Sequence, residues 1–136
     1  MTSVQIDTII QQWINEDIKL SPPATAHSIK ATEEIIDFQF PDDCKEFYLK
    51  LDGFIDWGWT KNMFSIWPLA KIQEEYQNES DKNFIVFADY LVNAIQFGFV
   101  KGKEGVFKYN GETHEWIADT FSVAIALIDT DADILY

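Results

Sequence analysis

Phe40-Pro41-Asp42-Asp43-Cys44-Lys45-Glu46-Phe47-Tyr48-Leu49-Lys50-Leu51-Asp52-Gly53 carries a start, a face and a stop. Pro41 pre-sets the backbone of a first helical position, and Asp42 and Asp43 follow in the first turn, where the helix dipole favours negative charge. Cys44, Phe47, Tyr48 and Leu51 then recur at the spacing of one helical face. Gly53 stands where a left-handed cap is wanted. The stretch predicts a helix over residues 41–52 with one face in the core.

Upstream, Ile6, Ile9, Ile10, Trp13 and Ile14 predict an amphipathic helix over 4–17. Pro22-Pro23 opens a loop that runs to about His27. Thr32 reads as the N-cap of a short helix, with Glu33 and Glu34 in its first turn and Ile35 and Ile36 facing inward. Downstream, Phe54, Trp57, Trp59, Phe64 and Trp67 crowd together. Residues 63–67 read as a strand stopped by Pro68, and Leu69, Ile72 and Tyr76 as one face of a short helix. Residues 84–88 form an apolar run that suits a buried strand, and 94–100 alternate as a second. A third strand is expected at 106–109. Asn110-Gly111 signals a tight hairpin into a fourth at 113–117. Phe121, Ala124, Ile125 and Ile128 then share a face of a closing helix near 119–128. Helices, then a meander, then a helix is an α+β order with an antiparallel sheet.

All ten basic residues are lysine and none is arginine, against twenty-three Asp and Glu, a formal charge of −13 over 136 residues. That field repels nucleic acid and anionic membranes and attracts a basic protein. Hydrophobic residues at 47% argue for a dense core, and the length suits one domain. A lone cysteine, Cys44, fits a reducing compartment. The first residues have neither the basic region nor the apolar run of a signal peptide, and no stretch is long enough to span a bilayer. The expected location is cytoplasmic.

No catalytic, cofactor-binding or metal-binding residue is expected. His27 and His114 are far apart, and Glu112 and Glu115 beside His114 complete no metal-ligand spacing. Cys44 lies on the apolar stripe, where a small core residue outweighs a nucleophile. Asp129-x-Asp131-x-Asp133 opens like a calcium loop, but Ile134 stands where glycine is needed, so residues 129–136 read as a solvated acidic tail. Gly98, Gly102 and Gly105 fit no phosphate-binding pattern. The candidate partner-binding surface is Asp52, Asp56, Trp57 and Trp59, with the outward carboxylates Glu74, Glu75 and Glu79 of the next helix. Indole rings supply buried area and cation–π faces, and carboxylates pair with Lys or Arg. The competing reading puts Trp57 and Trp59 in the core.

The block Phe40-Pro41-Asp42-Asp43, Glu46-Phe47-Tyr48, Asp52-Gly53 is similar to a helix-start block of the SUKH superfamily, the Smi/Knr-type domains. Trp67-Pro68-Leu69 with Ile72 and Glu75, the strand Phe84–Ala88, and Ile117-Ala118-Asp119-Thr120-Phe121 resemble its later blocks in the same order. The resemblance covers about residues 28–130. It implies a single domain over 1–136, with helix and loop to 27, a core over 28–128 and the tail beyond. It also implies a twisted antiparallel sheet, here of about four to six strands, with flanking helices. It further implies a non-catalytic binding role, as in immunity proteins that neutralise a cognate nuclease- or deaminase-type toxin. The alternatives are an intracellular regulatory scaffold like the fungal relatives and, more distantly, a carboxylate-dependent hydrolase.

Overall fold

A computed structural model describes residues 3–55 and 58–136, with side chains of the first helix described from Ile6 onward. Helices α1 (Ser3–Asn15), α2 (Ala26–Ile36) and α3 (Asp42–Lys50) come first. Strand β1 (Phe64–Ile66) and helix α4 (Leu69–Asn78) follow. The meander is β2 (Phe84–Tyr90), β3 (Ile95–Val100), β4 (Val106–Tyr109) and β5 (His114–Ala118), and α5 (Phe121–Thr130) closes it. The five strands form one sheet in chain order, every neighbouring pair antiparallel. The chain is thus an α+β domain, as the order of elements predicts.

The stripe of α3 is the floor of the core. Cys44, Phe47, Tyr48 and Leu51 are all buried. Phe47 meets Phe121 of α5 edge-on at 5.3 Å, and Phe121 meets Phe87 of β2 at 4.9 Å. So α3 and α5 lock together over the sheet through rings. The first turn of α3 also anchors α5: Asp43 Oδ2 accepts from Ser122 N at 2.7 Å, beside the Thr120 hydroxyl that accepts from Val123 N. These bonds satisfy N–H groups that a helix start otherwise leaves open.

Gly53 is not the expected helix cap. Helix α3 ends on an extended Leu51. Gly53 lies beyond it at φ +70°, where an added Cβ would stand 2.5 Å from the Trp67–Pro68 backbone. Glycine is required there by close approach as well as by conformation.

Three further expectations are corrected. Helix α2 begins at Ala26, six residues before the expected cap. Thr25 is the cap, in a capping box with Ser28, so the predicted loop ends earlier. Thr32 is mid-helix and buried, donating to Ser28 O and accepting from Gln73 Nε2 of α4. Glu33 accepts from Phe40 N at 2.7 Å, and Ile35 is largely exposed while Ile36 is buried. The β4–β5 link spans residues 110–113, held by Asn110 Oδ1 accepting from Glu112 N and Thr113 N. The side chain replaces a backbone turn, as Asn often does. Finally, residues 129–136 are no free tail. Leu135 is 0% exposed in a 3₁₀ turn over Asp133–Leu135, and the Tyr136 ring packs on Tyr90 at 5.0 Å.

Candidate functional site

Between Gly53 and β1, the described residues Phe54, Ile55, Gly58, Trp59 and Met63 build one wall of a groove. Phe54 N donates to Ile66 O, and Ile55 N donates to Lys19 O. Gly58 N donates to Ile55 O, and Ser65 Oγ donates to Gly58 O. Thr60 N then donates to Phe64 O, so the loop is tied along the outer edge of β1. The first turns of α4 form the second wall. The end of β2 and the turn after it form the third, joined to the loop by Leu91 N donating to Met63 O at 2.9 Å. The enclosed groove has a volume of about 650 Å³.

Its rim is apolar and exposed. Trp59 is 43% exposed and Val92 is 56% exposed. The turn holding Val92 is unusual: Leu91, Val92 and Asn93 all have positive φ, between 51° and 69°. A β-branched residue rarely adopts that conformation. The strain holds two apolar side chains, Leu91 and Val92, out at the surface.

Its base is charged. Asp89 of β2 is 6% exposed and accepts from the Trp67 indole N–H at 3.0 Å. Burial raises its carboxyl pKa above the ordinary value. The Trp67 hydrogen bond and Lys71 pull it down, and Glu75 pushes it up. The Lys71 ammonium stands 4.8 Å over the Trp67 ring. Glu74 and Glu75 line the α4 side. Among the described residues, three carboxylates and one ammonium thus share an aromatic-walled groove.

The structure brings Trp59, Glu74 and Glu75 of the candidate set together here. Trp59 is not a core residue. Asp56 and Trp57 lie outside the described residues. Asp52 is engaged elsewhere, its Oδ1 accepting from Leu69 N at 2.8 Å. Pro68, the residue at the cap position of α4, offers no side-chain acceptor, so Asp52 caps that helix from a distance. Burial raises its carboxyl pKa, against the lowering effect of the Leu69 bond. Glu79 lies past the far end of α4, on a small adjoining cleft with Tyr76 and Phe84, and Trp67 and Glu75 line both.

Asp89, Lys71, Met63 and Val92 line the groove but were not among the site residues expected from the sequence. The available signal for Asp89 was a carboxylate directly after the run Phe84–Ala88, inside a strand that continues to Tyr90. A buried polar residue is the informative exception in such a run. Cys44 is fully buried and its thiol is pushed well up, chiefly by burial, which suits a core residue. His114 stacks on Tyr109 at 4.5 Å and stands 4.0 Å from Asp81, on the edge strand. Among the described residues no three His, Cys, Asp or Glu side chains are grouped to hold a metal. No described helix is long and apolar enough to cross a membrane.

Residues 23–126 match the model of the SMI1 / KNR4 family (SUKH-1), and the chain belongs to that family. No curated protein matches it.

Proposed function

We propose that this SUKH-1 domain is a non-catalytic immunity-type protein: it binds a basic toxin domain, of nuclease or deaminase class, and blocks its active face. The observation that carries the reading is the groove, with exposed Trp59 and Val92 on its rim and Glu74, Glu75 and Asp89 inside, on a chain of charge −13. Ring-bearing anchors at the centre of a patch supply most of the affinity of a protein interface. The surplus negative charge accelerates encounter with a cationic partner and repels nucleic acid, so the domain competes with a toxin's polyanionic substrate without resembling it chemically. It acts in the cytoplasm of the cell that makes both proteins.

The test is co-expression with toxin domains encoded beside this chain. Protection of growth is expected, with a complex whose association slows steeply as salt rises. Absence of both protection and complex formation with every neighbouring toxin would refute the reading. Capture of several unrelated regulators, with no toxin gene adjacent, would favour the scaffold role of the fungal relatives. Turnover that disappears on replacing two carboxylates would favour the hydrolase.

A further inference from the structure

The groove already contains a cation in a defined seat. Lys71 holds its ammonium 4.8 Å over the Trp67 ring, and its charge lowers the pKa of Asp89. An ammonium is a compact, strongly hydrated point charge. A guanidinium is flat, stacks on an indole face, and offers paired N–H groups that match a carboxylate in two places. The geometry here suits the second kind of ion: a buried ring face, Asp89 held in place by the Trp67 N–H at 3.0 Å, and Glu75 on the neighbouring helix. Phe54, Ile55 and Met63 line the same groove and offer cover for an apolar stem.

We infer that the groove is a receptor for one arginine side chain of the partner protein, its guanidinium stacked on Trp67 and forked against Asp89 and Glu75, with Lys71 swung out to make room. This rests on the reading that the groove faces a protein partner, and it names the group that enters. A second copy of this chain does not fit as occupant. It has no arginine to insert, and it carries the same charge of −13 into a groove lined by Glu74, Glu75 and Asp89. Lys71 acts as an internal placeholder that keeps the ring and Asp89 covered until the partner arrives.

The probe is N-acetyl-arginine amide, titrated against the ¹⁵N-labelled full chain while the Trp67 indole N–H resonance is followed. N-acetyl-lysine amide and N-acetyl-citrulline amide serve as comparisons. The expected result is a saturable shift with arginine, binding at least about threefold weaker with lysine, and no shift with the uncharged citrulline. Asp89→Asn keeps an acceptor for the indole but loses the charge, and it weakens arginine binding about fivefold or more. Glu75→Gln, on the groove wall, provides the same test without touching the buried bond. Lys71→Met removes the placeholder and tightens arginine binding about threefold. No saturable shift, equal shifts from lysine or citrulline, or indifference to both carboxylate variants would overturn the inference. Toxin binding that survives such a result would leave the proposed function standing on another surface. A normal arginine response with no toxin bound would do the reverse.

Discussion

Two parts of this molecule are rich in rings and have different fates. Around Phe121, the rings of Phe47, Tyr48, Phe87 and Phe99 stand between 4.9 and 6.4 Å away, all buried. Around the groove, Trp59 stands out in solvent, while Trp67 lies buried beneath Lys71. Aromatic density therefore does not distinguish a core from a contact surface. The setting does. The first cluster comes from helix stripes and strands whose backbone bonds are satisfied within their own elements. The second comes from a loop that bonds through isolated contacts along a sheet edge, beside a strained turn. The first region is close-packed, and the second has an open side that no described residue fills.

The largest expected effect separates the two regions on stability alone. Phe121→Ala removes the ring that joins α3, α5 and the sheet, and should cost about 3–5 kcal/mol. Urea unfolding monitored by tryptophan fluorescence measures it. A loss below about 1 kcal/mol would mean that the ring cluster is not the centre of the core.

A smaller loss is expected where the regions meet. Asp52→Ala deprives α4 of the acceptor for Leu69 N and should cost about 1 kcal/mol, whereas Asp52→Asn should recover most of it. The same denaturant curves decide it. If Asp52→Ala leaves stability unchanged but weakens partner binding, Asp52 belongs to the contact surface after all.

Asp52 also shows where reading by sequence stops. Helix α3 was readable because its start and face are local: Pro41, two acids and an i, i+3, i+4, i+7 stripe lie within twelve residues. The strands from 84 onward were readable for the same reason. What Asp52 and Asp43 cap was not readable, because their partners lie 17 and 79 residues away. Near α2 the local signal misled. Thr32-Glu33-Glu34 has the composition of a helix start, yet Thr25 and Ser28 supply the actual capping box. On the groove, exposed Trp59 and the α4 acids were within reach of sequence reasoning. Asp89 and Lys71 gain their meaning only when β2 and α4 are placed together.

Asp89 supplies a pH test of that placement. Its folded carboxyl pKa is raised, with burial outweighing the pull of the Trp67 bond and Lys71. Its contribution to stability is therefore fully present below the unfolded value of 3.8 and is lost as pH rises through the higher folded value. Asp89→Asn cannot ionise and has no such loss. The variant should gain on the wild type as pH rises from about 3 to 7, by unfolding midpoints measured in parallel. A variant that instead falls behind at neutral pH would show that the ionised carboxylate is net stabilising, held by Lys71 and the indole.

Trp59→Ala should have the smallest effect on the fold. Its side chain is 43% exposed on the rim of the groove, so truncation should change stability by less than about 0.5 kcal/mol. Its effect belongs to binding, where loss of an anchor ring at the groove mouth should cost about 2 kcal/mol, roughly thirtyfold in affinity for the partner. Calorimetry on the complex and urea curves on the free chain read the two quantities separately. Phe121→Ala should give the inverse pattern where enough folded protein remains to bind. A Trp59 variant that unfolds early yet binds normally would make this ring a late piece of the core, and would move the contact surface away from the groove.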